Sequence, residues 1–276
     1  MPATVKSLHV YPVKSCRGLS LQSVRIDARG PLYDRRWMIV DATGTFLTQR
    51  EEPRLALVRV TLRPTEIALD APNMRSLRVP ARGRDGARLA VRVWSHSGQG
   101  EDAGDAAADW LGEHLGRPCR LVRFPDEARR EVSRRHTALD AETAFTDGYP
   151  ILLISEASLA DLNGRMKNAL TMERFRPNLV VGGTEAFAED AWKRIRVGDL
   201  LLDVVKPCAR CAITTVDPTT AEKSKEPLQT LAGYRRHGNE VLFGQNCVHH
   251  GPGTLRVGDE VEVLETQAAP ALESGA

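Results

Sequence analysis

The sequence predicts a mainly β protein with some α, an α+β chain in which the strands build barrels or sandwiches. Two observations carry this. Short runs rich in Val, Leu and Ile recur at a spacing of about ten residues through residues 5–94, separated by turn residues rather than by helices. The second half then mixes apolar, strand-length runs with short helical patterns instead of alternating them regularly as a βαβ fold would.

In order, the predicted strands of the first half are 5–10, 21–26, 36–40, 55–62, 66–69 and 89–94. Arg17-Gly18, Arg29-Gly30-Pro31, Ala42-Thr43-Gly44 and Pro72-Asn73 punctuate them. Residues 95–104 are polar and Gly-rich and read as a separator. Residues 105–115 read as a helix, with Ala107, Trp110, Leu111, His114 and Leu115 on one face. We expect a domain boundary here, giving an N-terminal domain of 1–95, a second domain of 96–266 and a frayed tail of 267–276. Residues 120–123 form a short strand, and 124–146 a charged connection of poor periodicity. Residues 151–154 form a buried strand, followed by a helix carrying Leu159, Leu162 and Met166, with Ser155 or Ser158 as N-cap. Further strands are expected at 178–181, 200–205 and 260–264. Arg196-Val-Gly-Asp199 and Arg256-Val-Gly-Asp259 share a strand–turn–strand signature, read as two hairpins of one barrel.

Composition narrows the function. Lys plus Arg number 38 and Asp plus Glu 36, a net charge of +2, which argues against a dedicated nucleic-acid binder. At 42% apolar and 27% charged, the chain has the composition of an ordinary soluble protein. No run is long enough for a membrane span, and residues 1–15 lack the apolar core of a secretory signal. The cysteines, Cys16, Cys119, Cys208, Cys211 and Cys247, are too few and odd in number for a disulfide framework. A reducing cytoplasm is therefore the expected location, with thiols free for metal binding or catalysis.

The strongest local signal is residues 206–218, Lys206-Pro-Cys208-Ala-Arg210-Cys211-Ala-Ile-Thr214-Thr215-Val-Asp217-Pro218. A C-x-x-C pair reads as half a zinc site, with Cys247 and His249 or His250 supplying the rest. It also reads as a redox pair at a helix N-terminus, or as two buried thiols on a strand. The polar crowd of Lys206, Arg210, Thr214, Thr215 and Asp217 favours a fourth reading, a thiolate that serves as metal ligand or nucleophile. If the segment is extended, Cys208 and Cys211 point to opposite faces and only one can face a given site. Tyr11-Pro-Val-Lys14-Ser15-Cys16-Arg17-Gly18, Asp34-Arg35 and Arg174-Phe-Arg176-Pro177-Asn178 add Arg, Lys, Ser and Asn, the donor types that grip a phosphate. Arg176 precedes proline and is expected to be extended. Arg117, Arg120, Arg123, Arg129, Arg130, Arg134 and Arg135 form a locally basic run, either a solvated loop with internal ion pairs or a docking face for an acidic electron carrier. The seven histidines show no metal-binding spacing and are read as surface or packing residues.

Taken together, these segments resemble the MOSC (molybdenum cofactor sulfurase C-terminal) proteins, and among them bacterial relatives of the mitochondrial amidoxime reducing component. The resemblance rests on Tyr11-Pro-Val-Lys14-Ser15, Asp34-Arg35 followed by Trp37-Met-Ile-Val40, Arg174-Phe-Arg176-Pro-Asn178-Leu-Val-Val181 and Cys208-x-Arg210-Cys211-x-x-Thr214-Thr215-Val-Asp217-Pro218. Lys225-Glu226-Pro227-Leu228, Leu242-Phe243-Gly244-Gln245 and the segment 253–259 extend it, so that it runs over residues 5–264. It implies an N-terminal β-barrel domain followed by a MOSC β-barrel domain, with a molybdenum pyranopterin (molybdopterin) between them. By the same resemblance Cys211 binds the metal, and Lys14, Ser15, Arg35, Arg176, Asn178 and Arg210 bind the pterin and its phosphate. Cys211 and Asp217 are the implied catalytic residues.

The implied reaction reduces small N-hydroxylated compounds, amidoximes and hydroxylamines among them, to the N–H form. Some bacterial relatives carry a C-terminal ferredoxin domain and the mitochondrial ones an N-terminal anchor. This sequence shows neither, so a separate ferredoxin-like or flavin-reductase donor is expected, with no membrane partner. The rival readings are a molybdenum cofactor binding or sulfur-carrier protein without its own turnover, and a barrel with no cofactor.

Overall fold

The computed structural model describes residues 2–81 and 87–273. The chain is mainly β, and its largest sheet explains how residues from both ends reach one place. Its strands run in the order Val261–Thr266, Trp192–Val197, Leu200–Ala209, Glu240–His249, Ile151–Ser155, Leu179–Gly182, Thr4–Val10 and Leu19–Leu21, with Arg236–His237 added on Glu240–His249. Among the strands of the described residues, only Ile151–Ser155 and Leu179–Gly182 pair in parallel. The helix Glu156–Gly164 makes the crossover that such a pair requires. Ser155 caps this helix, its hydroxyl accepting from the Ser158 N–H at 3.0 Å. Ser158 is not the cap, because its own hydroxyl donates to buried Glu189.

The sheet closes on itself. Val5 N–H donates to Asp259 O, and Val261 N–H to Ala3 O, which joins the first strand to the start of the last. Closure removes the exposed strand edge. Alternate residues point inward: Ile195 and Val197, then Leu200, Leu202 and Val204, pack with Val5, Leu8, Leu153, Leu179, Val181 and Cys247 in one buried core.

A second core lies under the helix Asp105–Leu115, whose Ala107, Trp110, Leu111 and Leu115 face it as their spacing predicts. Around it stand the four-stranded sheet Trp37–Val40, Arg120–Arg123, His96–Asp102 and Arg88–Val93, and the three-stranded sheet Arg59–Leu62, Glu66–Asp70 and Leu77–Pro80.

Several sequence expectations give way to tertiary partners. Residues 95–104 are no separator: His96–Asp102 is a strand paired along its length with Arg88–Val93, so residue 95 lies in the turn of a hairpin. Glycines at 98 and 100 hide the alternation, and Gly100 is needed because a Cβ there would meet Val122 at 2.8 Å. The 55–62 run splits into the 3-10 turn Pro53–Leu57 and a strand, and 21–26 breaks into Leu19–Leu21 and Ser23–Asp27. Leu77–Pro80 is a strand that the sequence reading missed. Arg196–Asp199 does turn a hairpin, but Arg256–Asp259 does not. There Gly253–Arg256 pairs with Ser23–Asp27, while Val261–Thr266 pairs with Trp192–Val197. The tail is held rather than frayed: Gln267 N–H donates to Ala191 O, and the Glu273 carboxylate accepts from Gly238 N–H. Residues 274–276 of that expectation lie outside the described ones.

One polar cluster ties the barrel to its outer elements. Arg235 Nη2 meets Asp190 Oδ2 at 2.6 Å, both side chains about 5% exposed or less, and Gln245 Nε2 donates to Asp190 Oδ1. Removing one partner of a buried pair leaves the other charge uncompensated. Arg235→Ala should therefore lower unfolding free energy by about 3–5 kcal/mol in urea titration, against about 1 kcal/mol or less for an exposed pair such as Arg134–Asp140.

Candidate functional site

The two cores meet at a pocket lined by Lys14, Ser15, Arg35, Arg176, Asn178, Cys208, Arg210 and Cys211. Every metal- or pterin-binding residue that the sequence proposed is in that lining. Two loops near the N-terminus form one wall. Lys14 N–H donates to Trp37 O, Trp37 N–H to Pro12 O and Arg35 N–H to Tyr11 O, so segments 11–14 and 35–37 are zipped together. Buried Asp34 accepts from Tyr11 N–H at 2.8 Å and pairs with Arg35 Nη1 at 2.7 Å.

Tyr11 stands between two cations. The Arg35 and Arg176 guanidiniums each lie 4.3 Å from its ring centroid, and its hydroxyl donates to Pro177 O. Burial pushes that hydroxyl far above the ordinary tyrosine range, so it stays a donor. Burial, reinforced by the neighbouring Arg35, lowers Arg176 to about 10.

Lys14 is buried, and its Nζ donates to Phe145 O and to Asp147 Oδ1. Burial lowers its pKa, a shift that Asp147 offsets only in part. The Asp147 side chain is largely exposed, and the Lys14 ammonium and the Trp94 N–H hold its carboxyl well below the usual range. Asp147 therefore stays charged at neutral pH and fixes Lys14.

Backbone strain concentrates here. Ser15 (φ +67°), Arg35 (φ +45°) and Arg176 (φ +58°) are three of the eight described non-glycine residues with positive φ. Such conformations cost about 1–3 kcal/mol each and gather at functional sites. Arg176 corrects the expectation of an extended residue before proline. It ends the short turn Met172–Phe175 in the left-handed region, with its N–H on Glu173 O, and so avoids the right-handed clash with Pro177 by another route.

The cysteine pair also departs from expectation. The strand Leu200–Ala209 stops before Cys211, which is itself extended (φ −125°, ψ 178°) and stands at the start of the 3-10 turn Ala212–Thr215, yet the thiols do not separate to opposite faces. Both line the same pocket. Arg210 Nη1 donates to Cys208 Sγ at 3.1 Å and its Nη2 to Phe175 O, while Arg50 Nη2 lies 3.4 Å from Cys211 Sγ.

Two proposed residues are engaged by contacts of their own. Asp217 is outside the lining: Thr219 and Thr220 donate to Oδ1 and Arg174 Nη2 pairs with Oδ2, so its carboxylate is engaged in holding a turn. Asn178 lines the pocket, yet its Oδ1 accepts from Arg35 and Leu152 N–H and its Nδ2 donates to His9 O. It braces Arg35. Arg50, Asp147 and Asn246 were missed, because none sits in a run with a recognisable chemical spacing and only folding brings them near the thiols.

The rival readings of the cysteines lose their geometry. Cys247 belongs to the barrel core, His249 Nδ1 is bonded to Gly251 O and His250 Nε2 to Asp203. Among the described residues no group of three or more His, Cys, Asp and Glu side chains is arranged to hold a metal ion. The helix that follows Cys211 is a single 3-10 turn, not the α-helix N-terminus that a thioredoxin-type pair uses. The arginine run is no free basic face. Arg120 pairs with Asp102 and Asp105, Arg123 with Glu101, Arg129 with Glu142 and Arg134 with Asp140, and Arg130 is buried with its guanidinium on Ala144 O and Thr146 O. Internal ion pairing is what the structure shows there.

The residues fit an anionic group that carries a soft metal. Arg176 Nη2 and Arg210 Nε are buried donors without a partner, on two side chains that line the pocket beside two thiols. Buried donors are ordinarily satisfied, so these two mark where acceptors belong.

Comparison with known proteins gives the family. Residues 2–118 match the MOSC N-terminal beta barrel domain and residues 140–262 the MOSC domain. The chain is 38% identical over 279 residues to mitochondrial amidoxime-reducing component 1 of Mus musculus, covering 95% of this chain and 82% of that protein. It is 38% identical over 281 residues to the Homo sapiens protein of the same name, covering 95% and 83%. It is 37% identical over 278 residues to mitochondrial amidoxime reducing component 2 of Rattus norvegicus, covering 94% and 82%. With both domains present in order and this identity along nearly its whole length, the chain belongs to the MOSC-domain family that contains the amidoxime-reducing components.

Proposed function

We propose that the protein is a molybdenum-cofactor-dependent oxidoreductase that reduces N-hydroxylated compounds to the N–H form. The observation that carries this reading is the convergence of unpartnered guanidinium donors on Arg176 and Arg210 with two thiols in one pocket. The names of the relatives agree with it.

In this reading Lys14, Arg35, Arg176 and Arg210 hold the phosphate and pterin of a molybdenum pyranopterin, and Cys211 holds the metal. A thiolate is the soft ligand such a metal takes, and charged, partly bidentate donors grip phosphate best. When bound, the cofactor supplies the two electrons that cleave the N–O bond, with two protons completing the N–H product and water. The protein's part is placement. Asp34 and Asn178 fix Arg35, Asp147 fixes Lys14, and Arg50 lies against the Cys211 sulfur. Hydrogen bonds to a metal-bound sulfur tune the site's potential, as do other outer contacts. Electrons come from a separate donor protein, and the site of action is the cytoplasm.

The direct test is turnover. Protein made in a cofactor-proficient host should contain molybdenum and pterin, and should oxidise a reduced viologen dye only when an amidoxime is added. Full cofactor content with no dye oxidation would favour the carrier reading instead. Cys211→Ser should lower bound molybdenum by about tenfold or more, since even outer partners of metal ligands are worth about 10- to 100-fold. Cys208→Ser should keep most of it, and equal loss in both variants would assign the metal to the pair.

Lys14 gives a pH dependence. Its charged form grips the anion and burial lowers its pKa, so retention should fall as pH rises through that lowered value. Lys14→Arg, which stays charged, should move the loss to higher pH, as read from pterin remaining after gel filtration across alkaline buffers. An unchanged profile would remove Lys14 from the grip.

A further inference from the structure

Trp94 touches the anion grip through Asp147, yet the fold does not explain it. It is the first of the two residues that turn the hairpin between Arg88–Val93 and His96–Asp102, where Val93 faces His96 across the ladder. Its φ is +55°. At the first position of a two-residue hairpin turn with positive φ glycine is the usual occupant, because a bulky side chain crowds its own backbone there. Trp94 is also 45% exposed, and Val263 and Leu264 are the only other exposed large hydrophobics among the described residues. Neither feature helps the chain to fold.

The indole is nevertheless held in place. Its Nε1 donates to Asp147 Oδ1 at 2.9 Å, the Phe46 ring lies 5.1 Å away at a 58° tilt, and the Arg50 guanidinium is 4.7 Å from its centroid. Two of these contacts lead straight to the pocket. Asp147 lines it and holds Lys14, and Arg50 lies 3.4 Å from Cys211 Sγ. An exposed aromatic ring is thus fixed one residue away from the proposed metal ligand, at the price of an unfavourable backbone. Strain retained at such a place points to function.

We infer that Trp94 is a specificity-determining residue, a platform at the pocket mouth on which the flat, conjugated part of an aryl N-hydroxylated substrate stacks, with its N–OH end toward Cys211. The inference rests on the reductase reading and deepens it. An amidoxime joined to an aromatic ring is planar and offers a π face for offset stacking, which a saturated ring of the same size does not.

The test compares phenyl amidoxime with cyclohexyl amidoxime, using the cofactor-loaded protein and a reduced viologen. The wild-type protein should favour the phenyl substrate in kcat/KM. Trp94→Gly, which suits the turn, should lower the phenyl-to-cyclohexyl ratio by about three- to tenfold, mainly through KM, and Trp94→Phe should restore part of it. A melting temperature for Trp94→Gly at or above that of the wild type would show that the fold is intact. A second readout needs no turnover: phenyl amidoxime should quench the fluorescence of the oxidised protein through Trp94, since Trp37, Trp110 and Trp192 are buried, and Trp94→Gly should abolish the quenching. An equal fall for both substrates would overturn the proposal. So would a defect seen only with a protein donor and not with viologen, which would give the indole to donor docking. If the wild-type protein turns over neither amidoxime the reductase reading fails, while quenching still decides whether the ring binds at Trp94.

Discussion

The site depends on one arrangement of charge: two guanidiniums, Arg35 and Arg176, set against the ring of Tyr11. Gathering cations in a half-buried place is unfavourable unless something answers them. The protein answers in part. Asp34 pairs with Arg35, Cys16 O accepts from Arg176, and the aromatic face meets both cations. Arg176 Nη2 and Arg210 Nε remain without acceptors. A site that is incompletely neutralised by its own fold is one prepared for an anion, and the positive φ of Ser15, Arg35 and Arg176 shows that the backbone bends to preserve it.

The barrel makes that arrangement possible. Thr4–Val10 lies beside Leu179–Gly182 in the large sheet, so the loop after the first strand is delivered next to the loop carrying Arg176. From the other side, Leu200–Ala209 pairs with Glu240–His249 and ends at the same place, bringing Cys208, Arg210 and Cys211. Strand register therefore sets the distance between thiols and guanidiniums. A one-residue slip in either strand would exchange its inward and outward faces and scatter the site.

The N-terminal part contributes more than cover. Arg50 and Trp94 come from loops around the second core, yet one touches the Cys211 sulfur and the other holds Asp147. The pocket's lining comes from the loop after the first strand, the turn carrying Arg176, the segment around Asp147 and the end of Leu200–Ala209.

The sequence by itself determined the β-rich class and the helix Asp105–Leu115, and it named Lys14, Ser15, Arg35, Arg176, Asn178, Arg210 and Cys211, which the fold brings into one lining, because these depend on local periodicity and on runs of chemically distinctive residues. Tertiary structure alone decided what depended on a partner far along the chain. The Arg256–Asp259 turn looks like the Arg196–Asp199 hairpin in sequence, but its flanking strands find partners in Ser23–Asp27 and Trp192–Val197. Cys208 and Cys211 line one pocket, which C-x-x-C spacing does not specify. Asp217 carries the motif's carboxylate, yet Arg174 and two threonines claim it. Arg50 had no motif at all and reaches Cys211 across a gap of 161 residues. Side-chain chemistry is written in the chain; which groups meet is set by strand pairing and closure, and those are properties of the whole fold.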